Sequence, residues 1–505
     1  MRQVSMLIGN QKLSSSEEKK FLVCNPANGK IIASVASASA ECVQKAINAA
    51  KNAFLEWSSL PAEKRCEYLL KAAELLEKRK EELAIAETEE TGKPIYESEN
   101  IDIPLSIKAF QYYGKNAAAI LNHKQDIQMD DSRFQDYVTY EPYGVAGIIA
   151  PWNFPLHLLT RDMCPALAAG NTVVVKPASK TPITAAILGD ILIEAGFPAG
   201  VVNILYGSGD TVGEELIRSK DVALIAFTGS EEVGRRIMHL SSQAPVIKKI
   251  VLELGGKGAI CVDKTADLDG AVSSAVYGVC MNQGEVCCAA SRCYVHEDIY
   301  EEFLQRAVSK MKKLKIGDPM KRETDMGSLI DEKQLEKVDG FVKTAVHMGA
   351  KLRTGGKRYI EGRCSEGSFY EPTILTEVCE DMDCMRKEIF GPVLMIIKVK
   401  DMQEAVAMAN QSDYGLGAAI WSEDEGTLKW ASDELQAGTV WLNHNITSTL
   451  EAPYGGIKNS GFGRQYGTQG LMEYVYVKNH MRYQTKPYAD YYREKQVIGK
   501  HKETN

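Results

Sequence analysis

Between Asn282 and Arg292 the chain reads NQGEVCCAASR, which sets Cys287 after a glycine-containing turn at the expected end of a helix. Backbone amides at such a place stabilise a thiolate, and a thiolate is a strong nucleophile. The competing reading is that a buried cysteine is only a small hydrophobe, and Cys287 has a neighbour of the same type in Cys288. Glu253 ends an apolar strand-like run, between Leu252 and Leu254. Desolvation there raises a carboxyl pKa toward the working range of a general base. Its alternative is an edge carboxylate held by the backbone of Gly255 and Gly256. Asn153, in PWNFP, stands where an amide can cap the helix that follows. In FTGSEEVG a strand runs into a helix at Gly229 and Ser230, so backbone amides and a hydroxyl can meet a pyrophosphate at a positive helix end. Gly207, Gly209 and Gly213 have the spacing GxGxxxG, which is not the standard dinucleotide fingerprint and is weak alone.

Residues this far apart must be brought together by a large α/β framework. From Ser39 to Ala119 the apolar spacing predicts three scaffold helices. From about Gly144, short β-branched runs (GVAGIIA, TVVVKP, VVNILYG, ALIAFTGS, KKIVLEL) alternate with helical stretches, the pattern of a parallel, doubly wound sheet. A second alternating stretch begins near Gly258, with RCYVH, LMIIKVK and GTVWLN as strands. The polar segment from about His123 to Tyr140 and the strand-like EYVYVKNHM are expected to pair outside both cores, and the tail from Tyr488 is polar.

A chain of 505 residues divides into two or three compact units, with 45% hydrophobic and 25% charged residues as in ordinary soluble domains. The net charge of −8 gives nucleic acid no basic footprint and anionic membrane little to hold, so a small-molecule partner is expected. Twelve scattered cysteines without zinc-ligand spacing read as reduced thiols with no metal. An N-terminus without an apolar signal core, and no long apolar run, predict a cytoplasmic protein.

From Asn25 in CNPANGK through PWNFP, VVKPAS, FTGSEEVG, LELGGK, GEVCCA, EIFGP and EAPYGGIKNSGFGR to the final strand, the chain resembles the aldehyde dehydrogenase superfamily. So many motifs in order are far more specific than one glycine-rich loop. The resemblance implies two doubly wound α/β domains with parallel sheets and a small β oligomerisation element. Residues 1–122 and 142–254 would bind coenzyme, 255–464 would form the catalytic domain, 123–141 and 465–487 the oligomerisation element, and 488–505 the tail. It implies an aldehyde as substrate, NAD or NADP as cofactor, and a homo-oligomer that is a dimer or a dimer of dimers. It makes Cys287 the nucleophile, Glu253 the base that activates water against the thioester, and the Asn153 amide with the Cys287 backbone N–H the donors to the oxyanion. An aldehyde cannot expel hydride until a nucleophile makes its carbon tetrahedral, which is what the thiolate supplies. For the cofactor it points to Trp152, Lys176, Ser179, Gly209, Gly213, Phe227, Gly229, Ser230, Leu254, Glu388 and Phe390, with Lys176 at the adenine-side ribose, Glu388 at the nicotinamide ribose and Phe390 beside the nicotinamide.

Two features bear on specificity. Many NAD-preferring relatives carry Glu three residues after the lysine, where this chain has Ser179; the loss of a carboxylate leaves room for a 2′-phosphate, so NADP or dual use stands level with strict NAD. Arg161 falls on a tunnel-lining position, as in relatives acting on semialdehydes such as succinate semialdehyde, and its guanidinium suits a distal carboxylate with Ser448 assisting. Met281 stands where those relatives have a second arginine. Phe154, Met281 and Tyr454 make the tunnel otherwise apolar, which suits aliphatic or aromatic aldehydes if Arg161 is instead ion-paired with Asp162 or another acid. Betaine aldehyde is disfavoured by the arginine charge. A CoA-acylating dehydrogenase is the runner-up, opposed by Glu253, and a non-catalytic binding relative is opposed by the presence of Cys287, Asn153 and Glu253.

Overall fold

The β-branched runs after Gly144 become the strands Val145–Ile149, Thr172–Lys176, Val202–Ile204, Val222–Thr228 and Lys249–Glu253. The computed structural model describes residues 1–14, 20–122, 125–447 and 449–484; Ser448 and the polar tail lie outside the described residues. Val145–Ile149 is central, with Thr172–Lys176 and then Val202–Ile204 paired in parallel on one side, and Val222–Thr228 and then Lys249–Glu253 on the other. The chain therefore reverses direction across the sheet at the carboxyl end of Val145–Ile149, the place where such sheets open a crevice. Short antiparallel strands close both edges, Met6–Ile8 with Gln11–Leu13 on one and Gly461–Phe462 on the other. The sheet is thus mixed where the runs alone predicted a parallel one, and Gly461–Phe462, expected with the second domain, joins the first sheet beside Lys249–Glu253.

Helices cover this sheet. Pro155–Ala169 begins with proline at its first position, ends at left-handed Gly170 and is buried along its whole length, so its side chains are fixed by packing on every side. The stretch expected to hold three helices is cut more finely, into Ala40–Ser59, Ala62–Lys78, Lys80–Thr91, Ile95–Glu97, a π-helical turn Ser98–Asp102, and Ile103–Leu121. Leu60–Pro61 and Gly92–Lys93–Pro94 supply breaks that apolar spacing does not register.

The second sheet runs Lys351–Thr354, Thr373–Thr376, Val393–Val399, Arg292–His296, Ala259–Val262, Gly417–Trp421, Thr439–Leu442, and only its first pair is antiparallel. A separate small sheet pairs Phe134–Pro142 with Val475–Tyr483 on one side and Gln125–Ile127 on the other, all antiparallel. Among the described residues no helix is long and apolar enough to cross a membrane.

Leu254–Gly258 is the link between the two sheets, so Glu253 ends a strand of the first and Ala259 begins one of the second. The turn holding Cys287 leads into Arg292–His296, the parallel neighbour of Ala259–Val262. The carboxyl ends of one sheet and the amino ends of the other thus converge on these residues. Gly461, at φ +103°, lies against the strand that ends in Glu253, and a Cβ there would come within 2.2 Å of the Leu252 carbonyl oxygen. We expect Gly461→Ala to destabilise the fold by about 1–3 kcal/mol through strain and a broken edge, read as a lowered midpoint in thermal unfolding; an unchanged midpoint would contradict this register.

Candidate active site

Glu253 has no exposed surface, and its backbone is held from both sides: Gly229 N–H donates to its carbonyl at 3.1 Å, and Leu254 N–H donates to the Ser460 carbonyl at 3.0 Å. Its carboxylate meets Arg161, whose Nη1 and Nη2 both lie 3.2 Å from Oε2, while Oε1 has no hydrogen-bond partner among the described residues. Arg161 Nη2 also donates to Thr228 Oγ1 at 2.6 Å, and Asp162 Oδ2 lies 3.6 Å away. Desolvation alone would lower the Arg161 pKa, but Asp162 and Glu253 overrule it and hold the guanidinium firmly charged. Burial raises the Asp162 carboxyl against the opposing pull of Arg161 and of Tyr474, whose hydroxyl donates to Oδ1 at 3.1 Å. His157, whose Nε2 is 2.6 Å from the Tyr466 hydroxyl, is driven down to about 3 by burial and then by Arg161, so it is a neutral wall near neutral pH.

Cys287 lies on a turn that follows a distorted 3₁₀ segment, Met281–Gly284, in which Asn282 and Gln283 have φ of 46° and 53°. Two buried groups pin that segment: the Asn282 N–H donates to the Glu97 carboxylate, and the Asn282 amide donates to the carbonyls of Asn153 (3.0 Å) and Glu285 (3.2 Å). Asn153 Nδ2 donates to the Glu285 carbonyl at 2.9 Å. An amide nitrogen has two hydrogens, so one orients Asn153 and the second remains for another acceptor. Glu285 is buried and accepts the Ile330 N–H at 3.0 Å. The glycines of the link let it pass directly beside the turn that holds Cys287: a Cβ on Gly256 would lie 2.2 Å from the Cys287 carbonyl oxygen. The Cys287 sulfur is 3.8 Å from the Tyr454 hydroxyl. Hydrogen bonding with Cys288, burial and the Glu253 charge all push the resting Cys287 thiol up.

A cleft of about 210 Å³ joins Cys287, Glu253 and Asn153 to Trp152, Gly229, Ser230, Leu254, Glu388 and Phe390. Phe390 has φ +60°, a strained value for an aromatic residue, and its ring meets Trp152 edge-on at 5.3 Å. Glu388 accepts the Gly256 N–H at 3.0 Å, and burial raises its carboxyl to about 7. Ser230 caps the helix Glu231–Ser242; Glu231, which would repel an anion there, is occupied by Arg235 (2.7 Å) and the Tyr414 hydroxyl (2.9 Å). Lys176 ends its strand, buried and lowered to about 8 by desolvation, and Ser179 donates to the Gly207 carbonyl at 2.9 Å. Gly209 and Gly213 bound a π-helical turn, and Phe227 is buried one residue before Thr228. The strand-end glycines, helix start, buried lysine and carboxylate form a donor set that fits a dinucleotide.

The residues expected along a substrate tunnel are spread more widely. Tyr454 adjoins Cys287, and Phe154 is buried beneath the Lys93 ammonium, 4.0 Å from its ring centre. Met281 borders a different cavity, with Pro94, Tyr96, Tyr277 and Cys280. Arg161 has 1% of its side chain exposed and turns its guanidinium to Glu253, Thr228 and Asp162, the ion-paired alternative of the sequence reading, and so presents no fork to a carboxylate substrate. Thr228, inside FTGSEEVG but given no role there, lines the cleft, as do Gln334 and Lys337, which lie in no quoted motif. Gln334 and Lys337 belong to an ordinary amphipathic helix, Glu332–His347, whose local sequence carries no sign of a site.

The model of the family described as "Aldehyde dehydrogenase family" matches residues 13–480. The chain is 41% identical to retinal dehydrogenase 2 of Mus musculus, over 95% of this chain and 91% of that one. It is 39% identical to the mitochondrial benzaldehyde dehydrogenase of Antirrhinum majus, over 94% and 88%. The structure of the NAD+ complex of an aldehyde dehydrogenase from Bacillus cereus superposes with a TM-score of 0.92 at 36% identity, covering 95% of this chain and 97% of that chain.

A thiol raised by a neighbouring carboxylate has a testable sign. Alkylation of Cys287 by iodoacetamide should be slow at neutral pH and accelerate as pH rises, while Glu253→Gln, which removes one of the charges that raise the thiol, should speed it at neutral pH. Peptide mapping separates Cys287 from the exposed Cys24 and Cys379. An equal or slower rate in the variant would contradict the electrostatic assignment.

Proposed function

The chain belongs to the aldehyde dehydrogenase family, and from that premise we propose that it oxidises uncharged aliphatic or aromatic aldehydes to carboxylic acids, using NAD+ or NADP+, through a thioester on Cys287 hydrolysed by water that Glu253 activates. The observation that carries this reading is the single cleft in which Cys287, Glu253 and Asn153 stand beside Gly229, Ser230, Glu388 and Phe390.

The thiolate of Cys287 attacks the aldehyde carbon, and the free hydrogen of the Asn153 amide, with the Cys287 N–H, stabilises the resulting oxyanion. Its fixed orientation toward Glu285 means little reorganisation is needed when charge develops. A bound nicotinamide supplies the acceptor for the hydride. Trp152, Lys176, Ser179, Gly209, Gly213, Phe227, Gly229, Ser230, Leu254, Glu388 and Phe390 would hold the dinucleotide. Collapse of the oxyanion leaves the acyl group on sulfur. Water then attacks that carbonyl, Glu253 Oε1 takes its proton, the C–S bond breaks and the Cys287 sulfur leaves as thiolate.

Uncharged substrates are favoured because the one cation placed by sequence on the tunnel is committed elsewhere. A distal carboxylate such as that of succinate semialdehyde would compete with Glu253 for Arg161 or be desolvated without a partner. Dual dinucleotide use rests on Ser179, whose small hydroxyl is turned to Gly207 and carries no charge against a 2′-phosphate. The small sheet of Phe134–Pro142 and Val475–Tyr483 is the element we assign to oligomerisation, as a dimer or a dimer of dimers, because its strands form a separate layer with exposed Val477 and Met481.

Initial rates with a medium-chain aldehyde, benzaldehyde, succinate semialdehyde and betaine aldehyde, each crossed with NAD+ and NADP+, test the reading. We expect kcat/KM for the uncharged pair to exceed that for the charged pair by about ten-fold or more, the effect of roughly 1.4 kcal/mol or more of unpaid desolvation. Cys287→Ala should abolish turnover, and Ser179→Glu should lower kcat/KM with NADP+ selectively. A lead for succinate semialdehyde would overturn the substrate assignment.

A further inference from the structure

We propose that Arg161 is the positioning residue of the hydrolytic step: it grips Glu253 by one carboxylate oxygen and so keeps the other free, and correctly aimed, to take the proton of the attacking water. The inference rests on the reading of Glu253 as the base.

An arginine that merely balanced charge would be best served by the side-on fork, two N–H groups on two oxygens. Here Nη1 and Nη2 converge on Oε2 alone, at 3.2 Å each, and among the described residues Oε1 is left as a buried acceptor without a hydrogen-bond partner. A buried polar atom without a bond is costly and calls for an explanation, and beside the Cys287 turn a catalytic use supplies one. The grip is rigid at both ends. Thr228 Oγ1 takes a hydrogen bond from Nη2 at 2.6 Å, and Thr228 is the register partner of Glu253 on the adjacent parallel strand. Asp162 Oδ2 lies 3.6 Å from the same Nη2 and is itself tied by the Tyr474 hydroxyl, while Tyr474 is fixed through its carbonyl by the Asn171 amide at 2.8 Å. The Tyr466 ring lies 6.0 Å from the guanidinium. Arg161 itself stands on the fully buried helix Pro155–Ala169, the same helix that Asn153 and Phe154 lead into.

The consequence is specific to one chemical step. Attack by Cys287 and loss of hydride do not require Glu253 to accept the proton of water. Hydrolysis does, and it needs Oε1 unprotonated and pointed at the thioester. Without Arg161, Glu253 is an unpaired buried carboxylate with nothing to fix which oxygen faces the thioester.

The full-length protein would be mixed rapidly with benzaldehyde and NAD+, following the burst of reduced nucleotide, the steady-state rate, and the intact-protein mass after acid quench. For Arg161→Met the expected result is a burst of wild-type amplitude followed by a steady state on the order of 10- to 100-fold slower, part of the range general-base catalysis supplies, with the acyl-enzyme mass accumulating. Arg161→Lys, which keeps the charge, should fall between wild type and Arg161→Met. Thr228→Val, which removes the second anchor without unbalancing charge, should slow the steady state about three-fold or more with the burst intact, and it stands alone if Arg161→Met does not fold. Burst and steady state falling together, or a steady state unchanged in Arg161→Met and Thr228→Val, would overturn the proposal. Glu253→Gln separates the two readings: if it still turns over, the assignment of the base fails, whereas if it stalls as acyl-enzyme while the Arg161 and Thr228 variants run normally, only the positioning role fails.

Discussion

A carboxylate with no exposed surface is the constraint around which the rest of the site is arranged. Glu253 ends the strand Lys249–Glu253, and taking its charge out of water is expensive unless a cation and hydrogen bonds compensate it. Arg161 supplies the cation, and its own burial then calls for Thr228 and Asp162. They come from two separate parts of the chain: Arg161 and Asp162 are consecutive on the helix that follows the central strand, and Thr228 ends Val222–Thr228. The parallel register that pairs Thr228 with Glu253 is therefore part of the active site as much as of the fold.

Cys287 reaches this carboxylate because two sheets meet end to end over a link of five residues, Leu254–Gly258. Carboxyl ends of strands in the first sheet bring Trp152, Asn153, Gly229 and Glu253, and the amino ends in the second bring the turn of Cys287. The approach is so close that the link can carry no side chain at Gly256, and Asn282 accepts left-handed backbone geometry to bind both Asn153 and Glu97. Rigid elements thus hold every reacting group, which is what a transition state that lasts for no time at all requires of its surroundings.

Much of this was legible in the chain. Cys287, Glu253 and Asn153 each lie in a contiguous motif at a strand or helix end, and local pattern is enough to find such places; the β-branched runs from Gly144 onward likewise became the first sheet. Arg161 shows where local pattern stops. Its partner Glu253 is 92 residues away, and no periodicity in LHLLTRDM distinguishes a guanidinium that faces substrate from one that faces a buried acid. Met281, just past the end of Leu268–Cys280, borders the cavity of Pro94, Tyr96 and Tyr277, a placement that no local pattern announces. Gln334 and Lys337 reach the cleft from an amphipathic helix whose local pattern does not mark them out. The antiparallel edge Gly461–Phe462 is only two residues long, too short for any strand signal.

The central claim is that the acyl group is carried by Cys287 and by no other sulfur, although Cys288 is adjacent. Tandem mass spectrometry of the peptide Asn282–Arg292, from Glu253→Gln protein quenched in acid after one exposure to benzaldehyde and NAD+, locates the adduct directly. The account requires a benzoyl group on Cys287. A benzoyl group on Cys288, or an unmodified peptide after reduced nucleotide has formed, would contradict it.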